Sequence, residues 1–435
     1  MSARRWILCL DGTWNSAYVR RKRDDGHEVL KPSNVLKLGR SVRPVDAAGR
    51  PQVVVYDPGV GTLSRHPGAS NRLLSVADRA LGGAFGAGFE ANVEEALTFL
   101  VHNQLPGDEV LLFGFSRGAA TARAVTRFLD WSGGLPVKAD AYYLPRFFRE
   151  YVLAHGQRTA EEVRSAIDAA RAGGSGRRPL APFQRVEVTF LGVWDTVMAL
   201  GSRFRSAGER TSTPSRSFHV GARPAACVRH ARQALAVDEA RYDFRPEIWI
   251  DHHPDQTLEQ RWFAGVHSNV GGGYVDDGLA NVAFHWILEG AVAQGLEVDQ
   301  AFANAYPRYP HDRLYRSESL LYRVLDGGRL RYGRGRRRLV GWPATAHLSL
   351  SPSVIHRLQA DPDARKDDGQ LRHPDLRTRY RPPNVLRYLA AQPDLDAFLQ
   401  QLGFADGARA LPDDVPARIA ELRAGRSDAL HPGDR

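Results

Sequence analysis

The chain has 435 residues, 43% of them hydrophobic, which is enough for one large core and, by length alone, for two or three domains. No run approaches the roughly 18 to 20 apolar residues of a membrane-spanning helix, and its two cysteines, Cys9 and Cys227, rule out a disulfide framework or a cysteine-based zinc cluster and read as buried thiols. The net charge of +10, carried mostly by arginine, permits contact with anionic surfaces, but no helix-turn-helix or interleaved aromatic pattern points to nucleic acid.

Met1-Ser2-Ala3-Arg4-Arg5 lacks the apolar region of an export signal, which predicts synthesis in the cytoplasm without Sec-type export. Strands are expected at Trp6 to Leu10, Val53 to Tyr56, Val110 to Phe115, Val186 to Trp194 and Trp262 to Val266. Each is a short apolar run ending in a glycine-rich or polar turn, with helix-like stretches between, the pattern of an α/β protein whose mostly parallel central sheet is flanked by helices. The first strand leads into Asp11-Gly12-Thr13-Trp14-Asn15. A haloacid-dehalogenase-type phosphatase needs a nucleophilic aspartate two residues before Asp11, and Cys9 stands there instead. Gly82 to Gly88 has neither the preceding strand nor the following acid of a dinucleotide loop and reads as a flexible lead-in to a helix. Phe89 to Asn103 then places Val93, Ala96, Leu97 and Leu100 at helical spacing, and Pro106-Gly107-Asp108 turns the chain into the next strand.

That strand, Val110 to Phe113, runs into Gly114-Phe115-Ser116-Arg117-Gly118, and a helix of small residues follows from Ala119. Strand, GxSxG and helix in this order form the nucleophile elbow of an α/β-hydrolase fold. The glycines are needed because side chains two residues on either side of the serine would collide with the strand and helix it joins. Arg117 N–H is the expected first oxyanion donor, and the backbone of Gly12 or Thr13 the second. The same context also suits an ordinary glycine-tolerant strand-to-helix turn.

A serine needs a base and an acid, which in this fold follow in the order serine, acid, histidine. Leu135 to Phe183, with its aromatic-rich helices and the Gly173 to Arg178 loop, lies between two core strands and is expected as a helical cap over 135–183. Asp195, in Gly192-Val193-Trp194-Asp195-Thr196-Val197, ends the strand after the elbow strand and is the favoured acid. Asp238 follows an apolar stretch read as helical and is the alternative. Among fifteen histidines only His267 stands after an apolar strand and before a glycine cluster, Gly271-Gly272-Gly273, so it is the expected base. His230 and His252-His253 are expected on exposed turns or helix faces. Asp251-His252-His253-Pro254-Asp255 groups ligand types, but a polar turn explains it, and neither metal nor organic cofactor is expected. The six arginines between Arg329 and Arg338 read as a solvated loop, with phosphate or membrane headgroup contact as the sharper reading. The catalytic domain is expected over 1–388, followed by a helical extension and disordered tail over 389–435.

With these motifs in view, the chain resembles the catalytic domain of type VI secretion phospholipase effectors of family one, long named domain of unknown function 2235. The resemblance rests on Leu10 to Asn15, Tyr56-Asp57-Pro58-Gly59-Val60-Gly61-Thr62, Gly114 to Ala119, Gly192 to Val197, Trp262 to Tyr274 and Tyr380-Arg381-Pro382-Pro383-Asn384-Val385, in the family's order. One departure is Asn269, where the family usually has aspartate. The resemblance implies an α/β-hydrolase fold, a Ser-Asp-His triad, cleavage of glycerophospholipid acyl esters, and, for secreted members, type VI export into a target cell's periplasm, with secretion components and an immunity protein as partners. Competing readings are a cytosolic esterase for small soluble esters and a non-catalytic module that binds anionic lipid.

Overall fold

The computed structural model describes residues 3–12, 15, 20–22, 26–59, 84–171, 178–198, 220–241, 244–315, 337–360 and 379–425. Its centre is a seven-stranded sheet, and every strand pair in it is parallel. In chain order the strands are β1 (Arg5–Leu10), β4 (Gln52–Asp57), β5 (Glu109–Phe115), β6 (Val188–Trp194), β7 (Val228–Ala236), β8 (Thr257–Phe263) and β9 (Leu348–Leu350), and across the sheet they run β4-β1-β5-β6-β7-β8-β9. The short β2 (Arg20–Lys22) and β3 (Glu28–Leu30) pair with each other, antiparallel and apart from it.

The central strands are apolar on both faces because helices cover both, as a parallel sheet requires. Side chains alternate: Trp6, Leu8 and Leu10 join one core with α2 (Ala84–Asn103) and α3 (Arg117–Ser132), while Ile7 and Cys9 face the other side with α1 (Asn34–Ser41). Helix α2 starts at Ala84, earlier than Phe89, so the end of the Gly82 to Gly88 segment is helical; Gly82 and Gly83 lie outside the described residues. Of the two thiols, Cys9 is buried as expected, whereas Cys227 is only half-buried and its Sγ lies 3.4 Å from the Thr126 carbonyl.

Within 135–183 the structure contains α4 (Leu144–Leu153) and α5 (Ala160–Arg171). Both bury their apolar faces in the core. Leu144, Phe147, Phe148, Tyr151, Val163 and Ile167 join the core of the sheet, and Tyr151 packs on Phe128 and Trp131, near the end of α3 remote from Ser116. An aromatic-rich amphipathic helix buries its apolar face wherever core is available, and here that is the far end of α3. Most of the expected loop, residues 172–177, lies outside the described residues.

Strand β7 corrects another expectation: the stretch before Asp238, read as helical, is extended, and His230 lies within it. Strand β8 spans Thr257–Phe263, and the chain turns at Ala264-Gly265-Val266 because Gly265 adopts φ +116°. His267 therefore opens the short helix α6 (His267–Gly271) instead of ending a strand. Helix α7 (Gly278–Ala293) covers the sheet face shared with α1, and α8 (Gln300–Asn304) follows it. Beyond β9, α9 (Pro352–Leu358), α10 (Pro383–Ala390), α11 (Leu395–Gln401) and α12 (Asp414–Arg423) form a third apolar cluster with Leu235, Trp262 and Leu350 of the sheet. The segment after 389 is thus helical as far as it is described, and it shares the core of the preceding residues; residues 426–435 lie outside the description.

Candidate active site

The site lies at the carboxyl ends of the central strands, where a parallel sheet opens its crevice. Ser116 follows β5 at φ 58°, ψ −120°, a strained conformation for a residue with a side chain. The flanking glycines are obligatory: a Cβ at Gly114 would stand 2.4 Å from the Gly118 carbonyl oxygen, and one at Gly118 would stand 2.1 Å from that of Leu10. Helix α3 begins at Arg117, so its first-turn N–H groups have no intrahelical acceptor and present positive potential beside Ser116.

Asp195 follows β6, the neighbour of β5, and the two turns are tied by Ser116 N–H donating to the Trp194 carbonyl at 3.0 Å. His267 arrives from β8. Its Nε2 lies 2.8 Å from Ser116 Oγ and its Nδ1 lies 2.7 Å from Asp195 Oδ2. Asp195 Oδ2 also accepts from Arg337 Nη2 at 2.8 Å, and Oδ1 accepts the Ala236 N–H at 3.1 Å. With the carboxylate accepting on every side, Nδ1 carries the imidazole proton and Nε2 is left to accept from the serine hydroxyl. The ring is held between Phe115 and Phe244, with centroids 4.7 and 4.9 Å away. Burial pushes the His267 pKa below its ordinary value against the opposing pull of Asp195, so the neutral, proton-accepting form is favoured.

Asp238 is not brought to the imidazole. Its carboxylate accepts from Gly265 N–H at 2.6 Å and from the Tyr380 hydroxyl at 2.8 Å, and loss of water around it raises its pKa. Tyr380, Arg381 and Asn384, singled out as a motif, are structural ties: Arg381 forks onto Asp414, and Asn384 donates to the Val237 carbonyl. Asn269 supplies Oδ1 to the Tyr315 N–H at 3.1 Å and donates to the Arg313 carbonyl.

Gly12 packs directly against the elbow, since a Cβ there would lie 3.0 Å from Ser116 Cβ. Its N–H, however, donates to Asp11 Oδ1 at 2.7 Å, so that amide is engaged by a side chain; Thr13 lies outside the described residues. Asp11 is buried and also accepts from Ser33 Oγ and Tyr56 OH at 2.5 and 2.7 Å, which anchors the start of this loop.

Two buried groups at the site carried no local signal in the sequence. Arg337 stands in the arginine run that reads as solvated, yet its side chain is 0% exposed; residues 329–336 of that run lie outside the described residues. Glu239 accepts from His267 N–H at 3.2 Å and from both arms of Arg241, and the arginines Arg241 and Arg337 bring its pKa down to about 2 despite burial. In the Asp251 to Asp255 segment, His252 Nε2 lies 2.9 Å from His347 Nε2, and the described residues hold no group of three or more metal-ligating side chains. No described helix is long and apolar enough to cross a membrane.

A protein of Saccharomyces cerevisiae described as "Uncharacterized protein YEL023C" is 23% identical over 250 residues, covering 56% of this chain and 32% of that protein. An uncharacterized protein from Pseudomonas aeruginosa, known from its crystal structure, is 17% identical with a TM-score of 0.40, the match covering 98% of this chain and 63% of that one. The Tle1 effector bound to the VgrG spike of the type 6 secretion system is 20% identical with a TM-score of 0.31, over 63% of this chain and 52% of that one. This chain thus spans about a third of the yeast relative and between about half and two thirds of the two solved chains. The model of the family described as "T6SS, Phospholipase effector Tle1-like, catalytic domain" matches residues 4–290, more than half of the chain, and the chain belongs to that family.

Proposed function

We propose that this protein is a serine hydrolase of carboxylic esters, with acyl esters of glycerophospholipids as its substrates. The observation that carries the reading is the continuous hydrogen-bonded chain from Ser116 Oγ through His267 to Asp195, at 2.8 and 2.7 Å, on a strained elbow. Ser116 Oγ attacks the ester carbonyl while His267 Nε2 takes its proton, and Asp195 stabilises the imidazolium. The tetrahedral oxyanion is held by the N–H of Arg117 and by that of Gly12 or Thr13. Collapse transfers the proton to the departing lysophospholipid oxygen and leaves an acyl-serine. A water deprotonated by His267 then releases the fatty acid and restores Ser116. All these steps use the chain's own residues.

Family membership favours phospholipid over a small soluble ester, and it makes the type VI apparatus the proposed route to a target cell, with an immunity protein as the proposed antagonist. The test is release of fatty acid and lysophospholipid from mixed phospholipid vesicles by the purified protein and by Ser116→Ala. Release by the parent alone, with the variant folded and down about a thousandfold or more, is expected. An active Ser116→Ala protein would sink the mechanism. Hydrolysis of short acyl esters without attack on vesicles would move the function to a soluble-substrate esterase, and vesicle binding without any turnover would leave a lipid-binding module.

A further inference from the structure

Arg337 touches the same oxygen of Asp195 that holds the imidazole. Its Nη2 lies 2.8 Å from Oδ2, His267 Nδ1 lies 2.7 Å from that atom, and the side chains of Arg337 and Asp195 are both 0% exposed. With the Ala236 N–H on Oδ1, the carboxylate is fixed from three directions. Arg337 is itself anchored, its carbonyl accepting from Asn384 Nδ2, which also donates to the Val237 carbonyl. It lies beyond residue 290, where the family match ends, so the rest of the chain reaches back to the acid of the site.

We propose that Arg337 is a positioning residue of this array, clamping the Asp195 carboxylate and keeping a positive charge beside the histidine–aspartate pair so that His267 stays a neutral base. The proposal rests on the serine-hydrolase reading. Among the described residues, the charged groups facing the pair are Arg337, and Glu239 with Arg241 from the segment after β7; Asp238, next to Glu239, faces Gly265 and Tyr380, with Arg357 acting on it from further away. Asp195 and Glu239 therefore balance Arg337 and Arg241 while His267 is neutral. Protonating His267 adds an uncompensated buried charge, which is costly. Without Arg337 the cluster carries one surplus negative charge, and protonation of His267 neutralises it. Removal of Arg337 must accordingly raise the pH at which His267 gains its proton.

The experiment compares the full chain with its Arg337→Met and Arg337→Lys variants, reading kcat/KM on a short-chain p-nitrophenyl ester from pH 5 to 9. In parallel, the titration midpoint of the low-field His267 Nδ1–H proton is followed by NMR. In the Met variant the acid limb and the NMR midpoint should both rise by about one pH unit, and plateau kcat should fall with KM unchanged because Arg337 is buried away from substrate. Lys restores the charge and should return the midpoint to the wild-type value, while kcat stays low because its shorter side chain does not carry a donor to the place of the single Nη2–H that meets Asp195 Oδ2. A folded Met variant with a wild-type midpoint, or a Lys variant shifted as far as Met, overturns the proposal. If Arg337→Met does not fold, Arg337→Gln, which is polar and uncharged, carries the same test. Turnover by Ser116→Ala would refute the hydrolase reading separately, since the NMR midpoint reports on Arg337 without turnover.

Discussion

Asp195 and Asp238 follow neighbouring strands, β6 and β7, and differ in what faces them. Arg337 and His267 both meet Asp195, whereas Asp238 sees a backbone amide and a phenol and has its pKa raised by loss of water. An amide can replace a carboxyl at Asp238, with Oδ1 on the Gly265 N–H and the NH2 toward Tyr380. Asp238→Asn should therefore keep ester hydrolysis within about threefold, while Asp195→Asn, which offers His267 the wrong tautomer, should lose about a thousandfold or more; steady-state kinetics of the two variants decides between the carboxylates. Glu239 bears on stability instead. Its pKa is about 2 when folded against an ordinary 4.5, so the unfolded chain binds more protons between these values and stability rises with pH through that window. The stabilisation, about 3 kcal/mol, is complete above pH 4.5 and is lost as pH falls toward 2. Glu239→Gln should lower the urea midpoint at pH 7, and its gap to the parent should narrow by about half on going from pH 5 to pH 3. Ser116, His267 and Asp195, which the structure brings together, could be singled out in the sequence because each follows an apolar run, with Gly114 and Gly118 flanking Ser116 and a glycine cluster after His267. Glu239 and Arg337 could not be: Arg241 stands only two residues from Glu239, but nothing local shows that the pair is buried beside His267, and the Asp195 that Arg337 meets is 142 residues away.

At the scale of elements, legibility followed burial chemistry. Strands β1, β5 and β6 are buried on both faces by hydrocarbon and read as continuous apolar runs. Strand β7 is also central, but Arg232 and Gln233 interrupt it, and the structure explains both. Arg232 pairs with Glu259 and covers Trp286, and Gln233 stands opposite Gln260 on β8, to which it donates at 2.9 Å. Polar residues are tolerated inside this part of the sheet because they satisfy one another and the loop before β8. Gln260 alone accepts from the Trp249 N–H and donates to the carbonyls of Trp249 and Ala346. Gln260→Leu keeps the strand's apolar character yet strands these buried groups without partners. It should cost about 3 to 5 kcal/mol, seen as a lower denaturant midpoint, with KM for esters unchanged. The turn after β8 was misread for a related reason: Ala264 and Val266 are apolar and buried like strand residues, and only the positive φ of Gly265 breaks the extension.

At the scale of the whole molecule, the boundary expected at residue 388 does not coincide with a boundary in the core. Leu389, Leu399, Leu411, Val415 and Ile419 pack in one cluster with Leu235 and Trp262 of the sheet and Leu350 of its edge strand. Arg381, just before α10, and Asp414, at the start of α12, form a two-pronged ion pair at 2.8 and 2.7 Å. Burying a large aliphatic side chain is worth about 1.5 to 3 kcal/mol, so these five together are worth on the order of 10 kcal/mol, as much as the whole net stability of a typical domain, about 5 to 15 kcal/mol. A composition rich in Asp, Ala, Pro and Arg hides this, because the apolar residues are sparse and meet their partners only across the fold. A chain ended after residue 388 should therefore lose cooperative unfolding and bind an apolar dye, as judged by calorimetry and fluorescence beside the 435-residue chain. It should also lose esterase activity, since Asn384, which steadies Arg337 behind Asp195, sits on the helix whose last two residues the cut removes. A truncated chain that melted in one transition at the temperature of the 435-residue chain would make the extension an independent appendage, and the link from the C-terminal helices through Arg337 to the site would then fail with it.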